Sequence, residues 1–227
     1  MSSPNPGHSA LTSLPDIVRE FIRDRYLAGV VDAEAQYENA VGDENSLTGA
    51  LGALISTSTP RQFRIGSTEI VVRIDYRKLR GRGNGAPEKR LGPDGVFQIK
   101  ISGAGIPSFR KGLAFQAKKN WKGKDKRLDG QARNMQRTIG GGIVIDYTLN
   151  GYSACDMSYV IESHGSRKVV SDHGHVHKLG KILAHDFLEC RVGREGLHYE
   201  NQGELFSIKL PDRNLDVLDT NVSIRSL

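Results

Sequence analysis

The stretch that most constrains this chain covers residues 91–119: LGPDGVFQIKI, a short Gly- and Pro-bearing connector, then KGLAFQAKK. Each half alternates with period two, the pattern of a strand with distinct faces. In the first half Phe97, Ile99 and Ile101 share one face, while Asp94, Val96, Gln98 and Lys100 take the other. In the second, Leu113, Phe115 and Ala117 share a face, with Ala114, Gln116 and Lys118 opposite. The halves read as one antiparallel pair. Burying the bulky faces together brings Asp94, Gln116 and Lys118 out on the same side, near a strand end. A carboxylate, an amide oxygen and an ammonium there suit a hard divalent cation and a phosphodiester.

Gly92-Pro93-Asp94-Gly95 followed by Gln116-Ala117-Lys118 resembles the D…QxK signature of Mrr-like restriction endonucleases. These are a branch of the PD-(D/E)XK nuclease superfamily in which Gln stands for the usual Glu. The resemblance covers about residues 40–145. It implies an α/β fold with a restriction-endonuclease-like core, a central mixed β-sheet flanked by helices. The implied activity is that of a Mg²⁺-dependent endodeoxyribonuclease, with Mn²⁺ able to substitute.

Upstream, Gly42-Asp43-Glu44-Asn45-Ser46 precedes Leu47, Leu51, Leu54 and Ile55, an i, i+4, i+7, i+8 stripe that marks a helix. Acidic residues in a first turn ordinarily answer the unpaired N–H groups and the macrodipole there. The resemblance adds a second account, because these nucleases commonly carry an acidic metal ligand on the helix before the core sheet. Glu44 takes that role and Asp43 is the alternate. The implied catalytic set is then Glu44, Asp94, Gln116 and Lys118. Glu44 and Asp94 offer carboxylate oxygens to the metal, joined by the Gln116 side-chain carbonyl and the Ala117 backbone carbonyl. Lys118 orients or helps activate the attacking water. Gln for Glu removes one negative charge, so weak metal binding without nucleic acid is expected.

The formal net charge is +6 and the pI about 9.3, compatible with a polyanionic partner. Basic residues cluster around the strand pair. Six of the ten residues 118–127 are Lys or Arg, with Trp121 among them. Lys119, Lys122, Lys124 and Lys126 are candidate phosphate contacts, against the plainer reading of a solvated face. Trp121 either stacks on a base or packs against the following helix. Arg80 and Arg82 lie in KLRGRGNGAPEKR, a loop that is either a solvated hairpin tip or a flexible clamp on a nucleic-acid backbone. A helix over about 128–138 follows, and the resemblance makes its Gln131 an accessory candidate.

Elsewhere the chain is read more coarsely. Residues 1–13 are rich in Ser, Pro, Gly and Asn, a flexible tail. Residues 14–227 form one nuclease-like domain, with a core over about 40–160 and a C-terminal helix and strand extension over about 161–227. A helix begins after Leu14 and ends near Gly29, and a second is expected over 32–40. RQFRI and STEIVVRIDYR are strands; IGGGIVIDYTLNGYSAC is a strand, a turn at Asn150-Gly151 and another strand. Its GGG lacks a Walker lysine and is no nucleotide loop. The histidines at 164, 173, 175 and 177 read as a polar surface loop in preference to a transition-metal site. Residues 178–190 suggest an amphipathic helix, GLHYE and GELFSIKLP short strands, and residues 212–227 carry no assignment.

No apolar run is long enough for a membrane span, and the N-terminal residues lack a secretory pattern. Cys155 and Cys190 have no CxxC spacing, so a reduced, cytoplasmic protein is expected. DNA is the expected partner. Double-strand cleavage needs two sites or two nicks, so a homodimer or higher oligomer is expected, with a regulatory partner protein because no targeting module is evident. The resemblance implies an effector of a prokaryotic restriction or antiviral defence system. Two other classes compete: a catalytically inactive nucleic-acid-binding module with a nuclease-like fold, and a protein-interaction subunit.

Overall fold

The strand pair expected over residues 91–119 lies inside a larger mixed sheet in the computed structural model, which describes residues 11–39, 42–79, 93–103, 106–200, 204–205, 208–209 and 215–227. The first helix, α1 (Asp16–Ala35), buries Val18, Ile22, Tyr26, Gly29, Val30 and Ala33 along one stripe. It does not stop at Gly29, and of the separate helix expected over 32–40 only residues 32–35 are helical, as its last turn. Gly29 serves packing: a Cβ there would meet Ile55 atoms at 2.5–2.8 Å, so glycine lets α1 press against α2 (Glu44–Ile55). Asp43 caps α2 by accepting the Ser46 N–H at 2.9 Å. Residues 1–10 of the expected tail lie outside the described residues, but Leu11 is only 2 % exposed and joins the core, so the tail does not extend to residue 13.

The strands follow as β1 (Arg61–Ile65), β2 (Thr68–Leu79), β3 (Gly95–Gly103) and β4 (Ile106–Lys119). After α3 (Lys126–Ile139) come β5 (Ile143–Thr148) and β6 (Gly151–Asp156). Two six-residue helices, α4 (Met157–Glu162) and α5 (Arg167–Asp172), lead to β7 (His177–Lys178). The amphipathic segment beyond it starts as a turn of α-helix, α6 (Leu179–Lys181), and widens into a π-helix over Ile182–Phe187. Short strands β8 (Arg194–Glu195), β9 (Tyr199–Glu200), β10 (Glu204–Leu205) and β11 (Ile208–Lys209) precede β12 (Leu215–Ser226).

The sheet order among the described residues is β1-β2-β12-β3-β4-β5-β6-β7. The C-terminal strand therefore stands in the middle, antiparallel to β2 and parallel to β3. From residues 161–227, β7, β8 and β12 are thus woven into the same sheet as the 40–160 core, while β9, β10 and β11 form a separate three-stranded sheet. β3 and β4 pair antiparallel, and β4 and β5 pair parallel. One face of the sheet packs on α1, α2 and the π-helix through residues such as Phe97, Ile99, Leu113, Phe115, Leu218 and Val222. The other packs on α3, α4 and α5 through Ala114, Val144, Leu128 and Met135. Helices thus flank a central mixed sheet, with no helix among the described residues long and apolar enough to cross a membrane.

Candidate active site

The site forms where β3 and β4 part. β3 begins at Gly95 opposite Phe115, whereas β4 runs on to Lys119 with β5 along its other edge. Backbone N–H groups on the β3 side of that overhang must find acceptors, since a buried orphan is costly. Two carboxylates fill the need. The Ala117 N–H donates to Asp94 Oδ2 at 2.8 Å, and the Lys119 N–H donates to Glu44 Oε1 at 3.2 Å. Alternate residues on a strand lie roughly 7 Å apart, so two acids from separate elements come together on one strand edge.

Asp94 is held from both sides, its N–H donating to the Phe115 carbonyl at 2.9 Å and its carbonyl accepting from the Asp216 N–H at 3.0 Å. Burial pushes the Asp94 carboxyl above the ordinary carboxylate range. The Ala117 N–H, the Gln116 amide and the Lys118 charge pull it back in part, and the Asp216 charge pushes it further up. Gln116 is 1 % exposed with its amide near enough to lower the Asp94 carboxyl, while its Oε1 is buried without a hydrogen-bond partner. Lys118, its side chain 13 % exposed, is felt by Asp94 but ion-pairs with Asp125 at 3.4 Å. Asp125 in turn caps α3 by accepting the Leu128 N–H at 2.9 Å.

The sequence-derived candidates thus separate into groups. Glu44, Asp94, Gln116, Ala117 and Lys118 converge at the β4 overhang. Asp43 is engaged as the α2 cap. Lys119 is drawn back, its ammonium donating to the Gly42 carbonyl at 3.0 Å and lying over the Tyr37 ring. Lys122, Lys124 and Lys126 are exposed. Arg80 and Arg82 lie outside the described residues. Gln131 is half-buried beside Leu128 and Met135 on α3, its Oε1 buried without a hydrogen-bond partner, and no contact among the described residues ties it to the overhang.

Trp121 requires a correction, because it is no stacking platform. It is 6 % exposed, packs with Leu128 and Val160, and donates its indole N–H to the Gly165 carbonyl at 3.2 Å. Its backbone N–H donates to Asp146 Oδ1 at 2.8 Å, and Arg167 donates to Asp146 Oδ2 at 3.0 Å. The Arg167 N–H also donates to the Gly123 carbonyl at 2.8 Å. The lysine loop is therefore pinned from beneath.

Sequence reasoning missed Asp216 and Tyr76. Asp216, from β12, is 5 % exposed and accepts the Tyr76 hydroxyl at 2.5 Å. The available signal was the Gly- and Pro-free run LDVLDTNVSIRS, whose Leu218, Val222 and Ile224 share the α2-side face.

The oxygen donors of Glu44, Asp94, Gln116 and Ala117 match the preference of Mg²⁺. Among the described residues, no three His, Cys, Asp or Glu side chains close on a common point. His175 stacks on Tyr159 with ring centroids 3.6 Å apart, and His173 meets His175 edge-on. Comparison with protein-family models, curated proteins and solved structures gives no match, so the chemistry of the site is argued from these contacts.

Proposed function

We propose that this chain is a metal-dependent nuclease of the PD-(D/E)XK type, in the D…QxK variant, that hydrolyses phosphodiester bonds of DNA. One observation carries the reading. Carboxylates from two separate elements sit on alternate N–H groups of the strand that bears Gln116 and Lys118. Glu44, Asp94, the Gln116 amide oxygen and the Ala117 carbonyl would hold Mg²⁺, and the buried, unpaired Gln116 Oε1 fits that role. Bound there, the ion supplies charge neutralisation for the scissile phosphate and a more acidic water.

The protein's own groups do the remaining work. Hydrogen bonds from Ala117 and Lys119 fix the two carboxylates before substrate arrives. The Lys118 ammonium, kept beside the site by Asp125, orients the attacking water and offsets charge that builds on the phosphate. Lys122 and Lys124, from a pinned loop, and Lys126, from the first turn of α3, track the nucleic-acid backbone. The same proposal includes a restriction-endonuclease-like core and a cytoplasmic effector of a prokaryotic restriction or antiviral system. That effector acts as a homodimer or larger assembly with a regulatory partner protein.

A catalytically silent DNA-binding module is the second reading. It is favoured by the Lys118–Asp125 ion pair and by the backbone hydrogen bonds that already engage both acids. Both readings expect salt-sensitive DNA binding. A supercoiled-plasmid assay with Mg²⁺, Mn²⁺ or chelator separates them. The nuclease nicks or linearises plasmid only with metal, and Asp94→Ala and Lys118→Ala abolish cutting while binding persists. Binding without cleavage under every metal condition supports the silent module.

A further inference from the structure

We propose, resting on the nuclease reading, that Asp216 of the C-terminal strand is a positioning residue of the Glu44–Asp94 site, acting on the cation through Asp94 and not as a ligand. It strengthens divalent-cation binding through its charge and by fixing Asp94, and Tyr76 aims it. Glu44 and Asp94 bring two negative charges, Gln116 brings a neutral oxygen, and the Lys118 ammonium stands close by. That is a weakly charged set for a dication. β12 makes up the difference from the far end of the chain.

The placement follows from strand register. β12 runs parallel to β3 with Asp216 opposite Gly95, the residue after Asp94, and the Asp216 N–H donates to the Asp94 carbonyl at 3.0 Å. The Asp216 side chain turns to the α2 side, where the Tyr76 hydroxyl donates to its Oδ1. The Tyr76 ring crosses α2 at Gly52, where a Cβ would stand 2.2 Å from a ring carbon. α2 therefore carries Glu44 in its first turn and, two turns on, seats the tyrosine that holds Asp216. The negative charge of Asp216 is felt at Asp94 and at the buried Tyr147 hydroxyl.

Two neighbouring buried carboxylates weaken a fold unless something positive answers them. The chain's own contribution at Asp216 is the Lys78 charge, and at Asp94 that of Lys118. The unpaired, buried Gln116 Oε1 beside Asp94 is an independent sign that a ligand with a need for oxygen belongs there. A cation answers both features.

The test is calorimetric titration of the full chain with Mn²⁺, paired with thermal unfolding in chelator. The variants are Asp216→Asn, Tyr76→Phe, Asp94→Asn and Asp75→Asn, the last altering an exposed pair with Arg73. Asp216→Asn is isosteric, still accepts the Tyr76 hydroxyl and removes a buried charge. The expected result is at least tenfold weaker Mn²⁺ binding, with an unfolding temperature in chelator at or above that of wild type. Tyr76→Phe weakens binding a few-fold, and Asp75→Asn leaves it unchanged. Wild-type affinity in Asp216→Asn, alongside lost binding in Asp94→Asn, overturns the role of Asp216 and leaves the nuclease reading standing. Weaker binding together with a lower unfolding temperature in chelator makes Asp216 merely structural and also overturns the proposal. No Mn²⁺ binding by wild type even at concentrations high enough to fill a weak site, or undiminished binding by Asp94→Asn, defeats the nuclease reading and this inference with it.

Discussion

Asp94 sets the needs of the site against the stability of the fold. Burial raises both its carboxyl and that of Asp216 above the ordinary carboxylate range. A carboxyl raised in the folded state lends stability at low pH, which is lost as the pH climbs through its folded-state value. Asp94→Asn removes that loss while still accepting from Ala117. Urea unfolding in chelator is expected to show Asp94→Asn more stable than wild type at pH 8, by about 0.5–2 kcal/mol. The gain shrinks as the pH falls through the carboxylate range, and a less stable variant at pH 8 would contradict the account. The cysteines offer a second check. Burial pushes the Cys155 thiol up to about 12, leaving almost no thiolate at pH 8, while Cys190 is partly exposed. A disulfide-exchange reagent should titrate one thiol in the folded chain and both in urea. Asp94, Gln116 and Lys118 were legible in the sequence because period two assigns faces within one short segment. Asp216 was not, since its importance depends on which strand lies next to β3.

The lysine-rich loop shows what an element's own sequence can and cannot say. A lone Trp among lysines has the same local pattern whether it stacks on a base or anchors the loop. The outcome is decided by Asp146, Gly165 and Arg167, all distant in sequence. Trp121→Ala is expected to cost roughly 3–5 kcal/mol in urea unfolding, as for other large-to-small changes in a core. Replacing Lys122, Lys124 and Lys126 with Ala together should leave stability unchanged, weaken DNA binding and reduce the slope of log K against log salt by about 3. A Trp121→Ala chain as stable as wild type would return the residue to the surface role. The same limit explains α1. Gly29 reads as a helix stop, yet its purpose is the close approach of Ile55, which only tertiary packing reveals. Gly29→Ala should therefore destabilise, by about 1–3 kcal/mol, despite alanine's better helix propensity.

Across the whole molecule the decisive fact is the position of β12. Every residue from Leu215 to Ser226 pairs with β2, and most of the strand also pairs with β3. The strands 61–119 were readable because they alternate and follow one another. The insertion of a strand from the other end of the chain between two of them leaves no local mark, so residues 161–227 read as an appendage. Chains ending at residue 160 or 214 are expected to show no cooperative thermal transition by circular dichroism. A sharp transition in either would mean that the core folds without its central strand. If the β4 overhang gathers Glu44, Asp94 and Gln116 into a cation centre, anomalous diffraction from crystals grown with saturating Mn²⁺ will reveal it. The expected result is a Mn²⁺ peak at the Asp94 carboxylate with Glu44 and Gln116 around it. Peaks confined to other parts of the surface, with the overhang empty, would contradict it.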